Sequence, residues 1–511
     1  MMNKKRNRVI GTLEGVLVMS LLLTACSTNG NNNAANSKTD TNTGTYGEET
    51  YHAIMAIPLL QGEPKDMQLV EDELNKLVKE KINVSLDLIP ISIGNWTQQT
   101  NLMLSSGEKL DLLLTGTGTY ASQAATGKII PIDELLKGPG KGVAEALGEK
   151  YISATKISGK VYGVSSIHDL AQNYSYAMRK DLVDKYKIDT TDIKTLDDVE
   201  KVLQIIKENE PNLTPIVPGG AGSSVSMLVG YNQYDLLGDG VGVLMDRNEL
   251  KVTNLYESSE YKAFLTKFHD WYTKGYILRD AATNQIVPNQ LVKAGKVFSY
   301  LTNGKPGFDA QESRAAGMEM VSAELNGPTV STNDVTGFMW AIARNSENAE
   351  KAMEVLNLFY TDKEVINLIN WGIEGKHYQK VKGDIIDFAP GVDATNTGYM
   401  PNWDWLTGNT YLSYIYKGGD PEIWEKTKEF NDTASPAKAL GFIFNIEPVK
   451  NEYTAIMNVT NQYKVGLESG TLDPEVVLPQ FIEKLKEAGI DKVIAEKQKQ
   501  LDEWAQANNV K

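Results

Sequence analysis

The chain has 511 residues, with 66 acidic against 51 basic side chains and a formal charge of −15 at pH 7. So acidic a balance repels polyanions and sets nucleic acid aside as a partner. The length exceeds what one hydrophobic core normally takes, which predicts two lobes, and a single cysteine, Cys26, excludes an internal disulfide.

At the N-terminus, Lys4, Lys5, Arg6 and Arg8 precede a mostly apolar run from Val9 to Thr24, and Ala25 stands directly before Cys26. A basic start, an apolar centre and a small residue at the end make an export signal. Its close, Leu23-Thr24-Ala25-Cys26, resembles the lipobox of bacterial lipoproteins. The resemblance implies that residues 1–25 are removed and that Cys26 carries lipid. Glu14 departs from the pattern but leaves a clean apolar segment from Gly15 to Ala25. Loss of the signal takes four basic and one acidic side chain with it, so the mature charge is about −18. At about 0.8 kcal/mol per buried methylene, one acyl chain binds a bilayer marginally and two or more hold firmly. Residues 26–49 are mainly Asn, Thr, Gly, Ser and Ala, the composition of a flexible tether. Beyond the signal, no stretch reaches the roughly 18 uninterrupted apolar residues of a membrane-spanning helix.

The folded part opens with a short apolar run from His52 to Ile57, ended by Pro58. From Lys65 to Lys81 the apolar residues Met67, Val70, Leu74, Leu77 and Val78 recur at helical spacing. A second strand from Val84 to Pro90 leads to a helix starting near Trp96 and stopping at Ser105-Ser106-Gly107, and a third strand spans Leu110 to Leu114. Strands alternating with helices predict a mainly parallel sheet. In such sheets ligands sit beyond the carboxyl ends of the strands, which points to loops 59–65, 92–96 and 115–120. Thr195-Leu-Asp-Asp-Val opens a capped helix, and Tyr261 to Trp271 has the periodicity of another. Lys293 to Tyr300 reads as a strand returning to the first lobe, Gly337 to Ala343 as a crossing back, and Asn348 to Asn370 as one long helix.

Several local patterns in this order resemble the extracellular solute-binding proteins of carbohydrate ABC importers. They are Asn101-Leu-Met-Leu-Ser-Ser-Gly-Glu-Lys-Leu-Asp111, Gly127-Lys-Ile-Ile-Pro131 with Asp133, Gly159-Lys-Val-Tyr-Gly163, and Tyr176-Ala-Met-Arg-Lys-Asp181. Towards the end, Trp371 to Tyr378, Phe442 to Pro448 with Glu452, and Leu485 to Trp504 are similar to the oligosaccharide-type lipoproteins that carry a C-terminal domain of unknown function, often labelled as aldouronate transporters. The resemblance implies an α/β, type II periplasmic-binding-protein-like fold, with two α/β lobes joined by a multi-strand hinge. On this reading the first lobe takes 50–165 plus 290–345, and the second takes 166–289 plus 346–511 with a helical extension.

A pyranose presents an apolar face edged by hydroxyls, so its site needs flat aromatics and fixed polar groups. The segment from Tyr399 to Tyr416 supplies Trp403, Trp405, Asn409, Tyr411, Tyr414 and Tyr416. In extended chain Trp403 and Trp405 would point the same way as a stacking pair. Trp96 and Tyr120 lie in loops at strand ends, and Asp169 and Tyr174 lie near the expected hinge. Gln61, Trp371 and Glu374 complete the expected ligand set. Aromatics of this kind serve equally well to pack a core.

Enzyme signatures are weak. His52, His168, His269 and His377 lack metal-ligand spacing. No Gly-x-Ser-x-Gly elbow occurs, and Gly238-Asp-Gly-Val-Gly242 lacks both a full dinucleotide fingerprint and a P-loop lysine, so it reads as a turn. The expectation is a lipid-anchored protein on the extracytoplasmic face, without catalytic residues, metal or cofactor. It captures a sugar or oligosaccharide and delivers it to the permease subunits of an ABC importer. A peptide-binding lipoprotein, a surface carbohydrate-active enzyme and an adhesin are the alternatives.

Overall fold

The computed structural model describes residues 49–60, 62–116, 118–217 and 230–511. The export signal, Cys26 and Gln61 lie outside the described residues. In chain order, the strands of the two main sheets are β1 (Tyr51–Leu59), β2 (Val84–Ser92), β3 (Leu112–Thr115), β4 (Val164–Ser165), β5 (Gln172–Arg179), β6 (Thr214–Val217), β7 (Val297–Gly304), β8 (Met320–Val330), β9 (Met339–Ile342) and β10 (Ser435–Pro436). The first sheet runs β2-β1-β3-β9-β4 and the second β10-β8-β5-β7-β6.

In the first lobe β1 is parallel to both β2 and β3, as the alternation of strand and helix requires. Met67, Val70, Leu74 and Val78, spaced to fall on one face of the helix Met67–Ile82, are its buried residues. Asn83 ends that helix in the left-handed conformation, donating its N–H to the carbonyl of Lys79. Asp111, fully buried just before β3, accepts from Tyr51 Oη at 2.6 Å and from the Ile54 amide at 2.8 Å. This carboxylate therefore ties the entry of β3 to β1.

The second lobe is built on β5, which pairs antiparallel with β7 and β8 on its two sides. Its helix Leu196–Asn209 starts from a capping box formed by Thr195 and Asp198 and buries Val199, Val202, Leu203 and Ile206. The C-terminal helices Lys450–Glu468, Pro474–Glu487 and Ile490–Ala507 add Ile456, Leu467, Phe481, Leu485 and Leu501 to the same core. The glycine-rich run at 238–242 is a turn, with Gly238, Gly240 and Gly242 all at positive φ. Lys497, 0 % exposed, reaches it from the last helix and binds Asp239 at 2.6 Å.

The chain passes between the lobes three times: at 166–171 between β4 and β5, at 331–338 between β8 and β9, and at 434–437, where β10 lies beside β8. This redraws the expected lobe boundaries. The strand at 297–304 pairs with β5 and β6 in the second sheet rather than returning to the first, and β8 lies there too. Conversely, residues 346–434 belong largely to the first lobe, where Met353, Leu356, Phe359, Ile366 and Trp403 share a core with β1 and β3. Only the stretch after β10 joins the second lobe. The long helix expected from Asn348 to Asn370 is two, Ala349–Thr361 and Lys363–Trp371. Asp362 leaves helical geometry between them, and its carboxylate caps the second helix through the amides of Glu364 and Val365.

Candidate functional site: the cleft between the lobes

The carboxyl ends of β1, β2 and β3, the start of the antiparallel β9 and the exit from β4 all lie on one edge of the first sheet. Trp405 stands on this edge. Its position is set by a turn from Trp403 to Thr407, in which the Trp403 carbonyl accepts from the amides of Leu406 and Thr407 at 2.9 and 3.0 Å. Trp403 anchors the turn: its indole is 0 % exposed and donates to the Pro58 carbonyl at 2.8 Å. Because a turn rather than a strand joins them, the two indoles have different surroundings. Trp405 is half-buried, edge-on to Phe338 at 4.8 Å and to His168 at 6.5 Å, and Phe338 is 38 % exposed.

Next to this aromatic floor His168 Nδ1 lies 3.4 Å from Asp169, and Lys305, at the end of β7 in the second lobe, reaches across to Asp169 at 3.1 Å. Burial alone would push the Asp169 carboxyl up. The His168 hydrogen bond and the Lys305 charge outweigh it and hold the group down at about 2. Asp404, between the two tryptophans, is pushed up by burial, moderated by the charge of Lys305.

On the facing edge of the second sheet, a cavity of about 120 Å³ is lined by amides: Gln172, Asn173, Gln233, Asn303, Asn326 and Asn333. Asn303 donates to Gln172, which donates to Asp334 at 2.6 Å. Asn326 accepts from the Tyr174 amide at 2.8 Å and donates to the Gly230 carbonyl at 2.9 Å. Asp334 caps the crossing helix Thr332–Thr336 by accepting from the amide and hydroxyl of Ser331, each at 2.7 Å. Burial raises its carboxyl to about 6. Arg247 also lines the cavity, with one guanidinium nitrogen on the Val330 carbonyl at 2.7 Å and Nε left without a partner among the described residues. Asn333 is shared with a second cavity of about 320 Å³, walled by Gly116, Tyr120 and Thr336 on one side and Leu237, Phe442 and Tyr453 on the other.

Of the expected ligand residues, Asp169 and Trp405 come together here. Trp403 is a core anchor instead. Tyr120 is buried, with its hydroxyl donating to the Thr155 carbonyl at 2.6 Å and accepting from the Tyr162 amide at 3.0 Å. Tyr174 is 1 % exposed in the second core, its ring pressed so closely by Gly230 that a Cβ there would lie 2.5 Å away. Trp96 is half-buried against first-lobe core residues. Trp371 lies in a satellite cluster with Tyr378, Ile386 and Tyr414, donating to Ser413 Oγ at 3.0 Å. Glu374 is exposed and paired with Lys380 at 3.2 Å. Asn409 closes its own turn by accepting from the Tyr411 amide at 3.1 Å and donating to the Tyr360 carbonyl at 3.3 Å. His168, Lys305, Phe338, Asp404 and the amide cluster carry no mark in the sequence beyond their closeness to chain crossings, which becomes legible only once the sheets are assigned.

Two α/β lobes joined by three crossings, with an aromatic floor on one edge and an amide-lined cavity on the other, define a solute-binding protein of the two-lobed kind. Residues 62–366 match the family model of the bacterial extracellular solute-binding proteins, and this chain belongs to that family. Residues 438–506 match a domain of unknown function, DUF3502. The chain is 30 % identical over 452 residues to a carbohydrate ABC transporter substrate-binding protein of Streptococcus pneumoniae, covering 86 % of this chain and 89 % of that one. It is similar in structure to the N-glycan transport solute binding protein NgtS of S. pneumoniae, with a TM-score of 0.78 and 28 % identity over 89 % of this chain and 99 % of that one. Against the NgtS complexes with Man1GlcNAc and Man5GlcNAc the TM-scores are 0.71 and 0.68. An extracellular solute-binding protein of Bifidobacterium longum subsp. infantis, 17 % identical and covering 89 % of this chain and 98 % of that one, shares the fold at 0.61.

Proposed function

We propose that this chain captures an oligosaccharide between its lobes and passes it unaltered to the permease of an ABC importer, held at the extracytoplasmic face by lipid on Cys26. The observation that carries the reading is Trp405 on the cleft floor. It is a half-buried indole, fixed by the buried Trp403 beside it, and the other lobe carries an amide-lined cavity at the edge of its own sheet. An indole of that kind suits the apolar face of a pyranose, and amides with carboxylates suit its hydroxyl rim. The pneumococcal relatives, one a carbohydrate importer's binding protein and one bound to mannose-containing glycans, support the same class of ligand. Among the described residues no helix is long and apolar enough to cross a membrane, which fits a tether through Cys26.

The test is calorimetric titration of the mature chain with Man5GlcNAc and a panel of other oligosaccharides, followed by chromatography of the recovered sugar. Saturable binding with unchanged sugar is expected. Absence of binding across the panel, or new reducing ends in the recovered sugar, overturns the reading.

A further inference from the structure

The loop at the carboxyl end of β3, where sheets of this kind hold ligands, leads into the helix Tyr120–Ala125. It presses directly on the chain crossing between the lobes, since the Gly337 carbonyl leaves no room for a Cβ on Gly116. The cavity of about 320 Å³ beside this loop has its other wall in Phe442, Phe444, Ile446 and Tyr453, all within the residues 438–506 that match a domain of unknown function. Phe442 and Phe444 are buried, whereas Tyr453 is half-buried and Ser122, on the first-lobe wall, is exposed.

Size separates the two cavities of the cleft. The amide-lined one, at about 120 Å³, has room for about four waters at roughly 30 Å³ each, whereas the second reaches the range of about 300–1,000 Å³ in which small-molecule sites fall. Its lining also has the composition of such a site, apolar and aromatic walls with a few polar groups, among them the amides of Asn333 and Asn445. The crossing helix Thr332–Thr336 joins it to the aromatic floor. Thr336 lines the cavity, and Phe338, two residues further on, is the ring that meets Trp405 edge-on at 4.8 Å.

We propose that this cavity is a second glycan subsite: while one sugar unit lies on Trp405, a further unit of the same chain lies on Tyr453, so that the domain of unknown function supplies one wall of the ligand site. The inference rests on the oligosaccharide reading above and deepens it. A unit placed there touches both lobes, the first through Ser122 and the second through Tyr453. A saccharide long enough to occupy both subsites therefore gains contacts that a short one seated on Trp405 lacks.

The experiment titrates the mature chain and three variants with Man5GlcNAc as the long probe and Man1GlcNAc as the short one, with melting curves taken without sugar. Tyr453→Ala removes the ring, Tyr453→Phe keeps it, and Ser122→Trp fills the cavity from an exposed position on the opposite wall. Tyr453→Ala and Ser122→Trp are each expected to weaken Man5GlcNAc by at least about tenfold and Man1GlcNAc by no more than about threefold, whereas Tyr453→Phe stays within about threefold of the parent for both. Where the parent chain prefers another glycan of the wider panel, that glycan and its terminal disaccharide take the place of the two probes. If Tyr453→Ala does not fold, Ser122→Trp and Tyr453→Phe carry the comparison. Unchanged binding of the long probe in the folded variants overturns the inference, as do equal losses for the two probes, which would mean that the cavity acts on lobe closure rather than on a second sugar unit. Either result leaves the oligosaccharide reading standing. A parent chain that binds no saccharide in the panel removes both.

Discussion

Replacing each of the two neighbouring tryptophans with alanine separates structural from ligand-binding roles within one turn. Trp403 is wholly buried, edge-on to Tyr399 at 6.4 Å, and its indole satisfies the Pro58 carbonyl at the end of β1. Trp403→Ala leaves a cavity of indole size and an unpaired carbonyl, a loss of about 3–5 kcal/mol from the first and about 1 kcal/mol from the second. At about 2–4 °C per kcal/mol for a lobe of 150–250 residues, the melting temperature should drop by roughly 8–24 °C. Trp405→Ala removes a half-buried ring whose described ring contacts are edges of Phe338 and His168. Its melting temperature in the absence of sugar should stay within a few degrees of the parent. A contact residue of this type costs about 2 kcal/mol or more of binding when truncated, so the dissociation constant should rise roughly thirtyfold. Scanning calorimetry of both variants, with titration of Trp405→Ala against the best glycan found, checks the pair. Equal destabilisation by the two substitutions, or normal sugar binding by Trp405→Ala, refutes this division of roles.

Lys497→Met should destabilise the second lobe by about 3–5 kcal/mol, because it leaves Asp239 without the ammonium of a buried pair. Adding Asp239→Asn should restore part of the loss in denaturant unfolding. The raised carboxyl of Asp334 makes stability depend on pH. Folding favours its protonated form, so this contribution is fully present below about 4 and is lost as pH rises through about 6. The stability of the parent relative to Asp334→Asn should therefore fall between pH 4 and 7, and melting curves across that range read the trend. Cys26→Ser should release the protein from the membrane in a detergent-partition assay while leaving the melting curve of the folded part unchanged.

Local structure was legible in the sequence wherever one element decided its own form. The spacing of Met67, Val70, Leu74 and Val78 defined a helix, Thr195 with Asp198 marked its capped neighbour in the other lobe, and the strand runs near 51, 84 and 112 fell in place. Which lobe an element joins depends on distant partners. The strand at 297–304 pairs with β5, more than a hundred residues earlier, and nothing in its own pattern distinguishes that partner from the first sheet. The break at Asp362 did have a local signal, an aspartate followed two residues later by Glu364, but an apolar periodicity running through both helices masked it. The site was half legible for the same reason. Aromatic density drew attention to the segment holding Trp405, yet period-two reasoning paired it with Trp403, because a turn cannot be told from extended chain in Pro-Asn-Trp-Asp-Trp. Lys305 and the amide cluster are ordinary surface residue types, and only the meeting of the two sheet edges gives them a role.

The central claim is that sugar is held between lobes that close on it. A site split across a hinge gains its second set of contacts only in the closed state, so binding must favour closure. Small-angle scattering of the mature chain, alone and saturated with a glycan shown to bind by calorimetry, measures this directly. The account predicts a smaller radius of gyration with sugar bound; a scattering profile unchanged at saturation would contradict it.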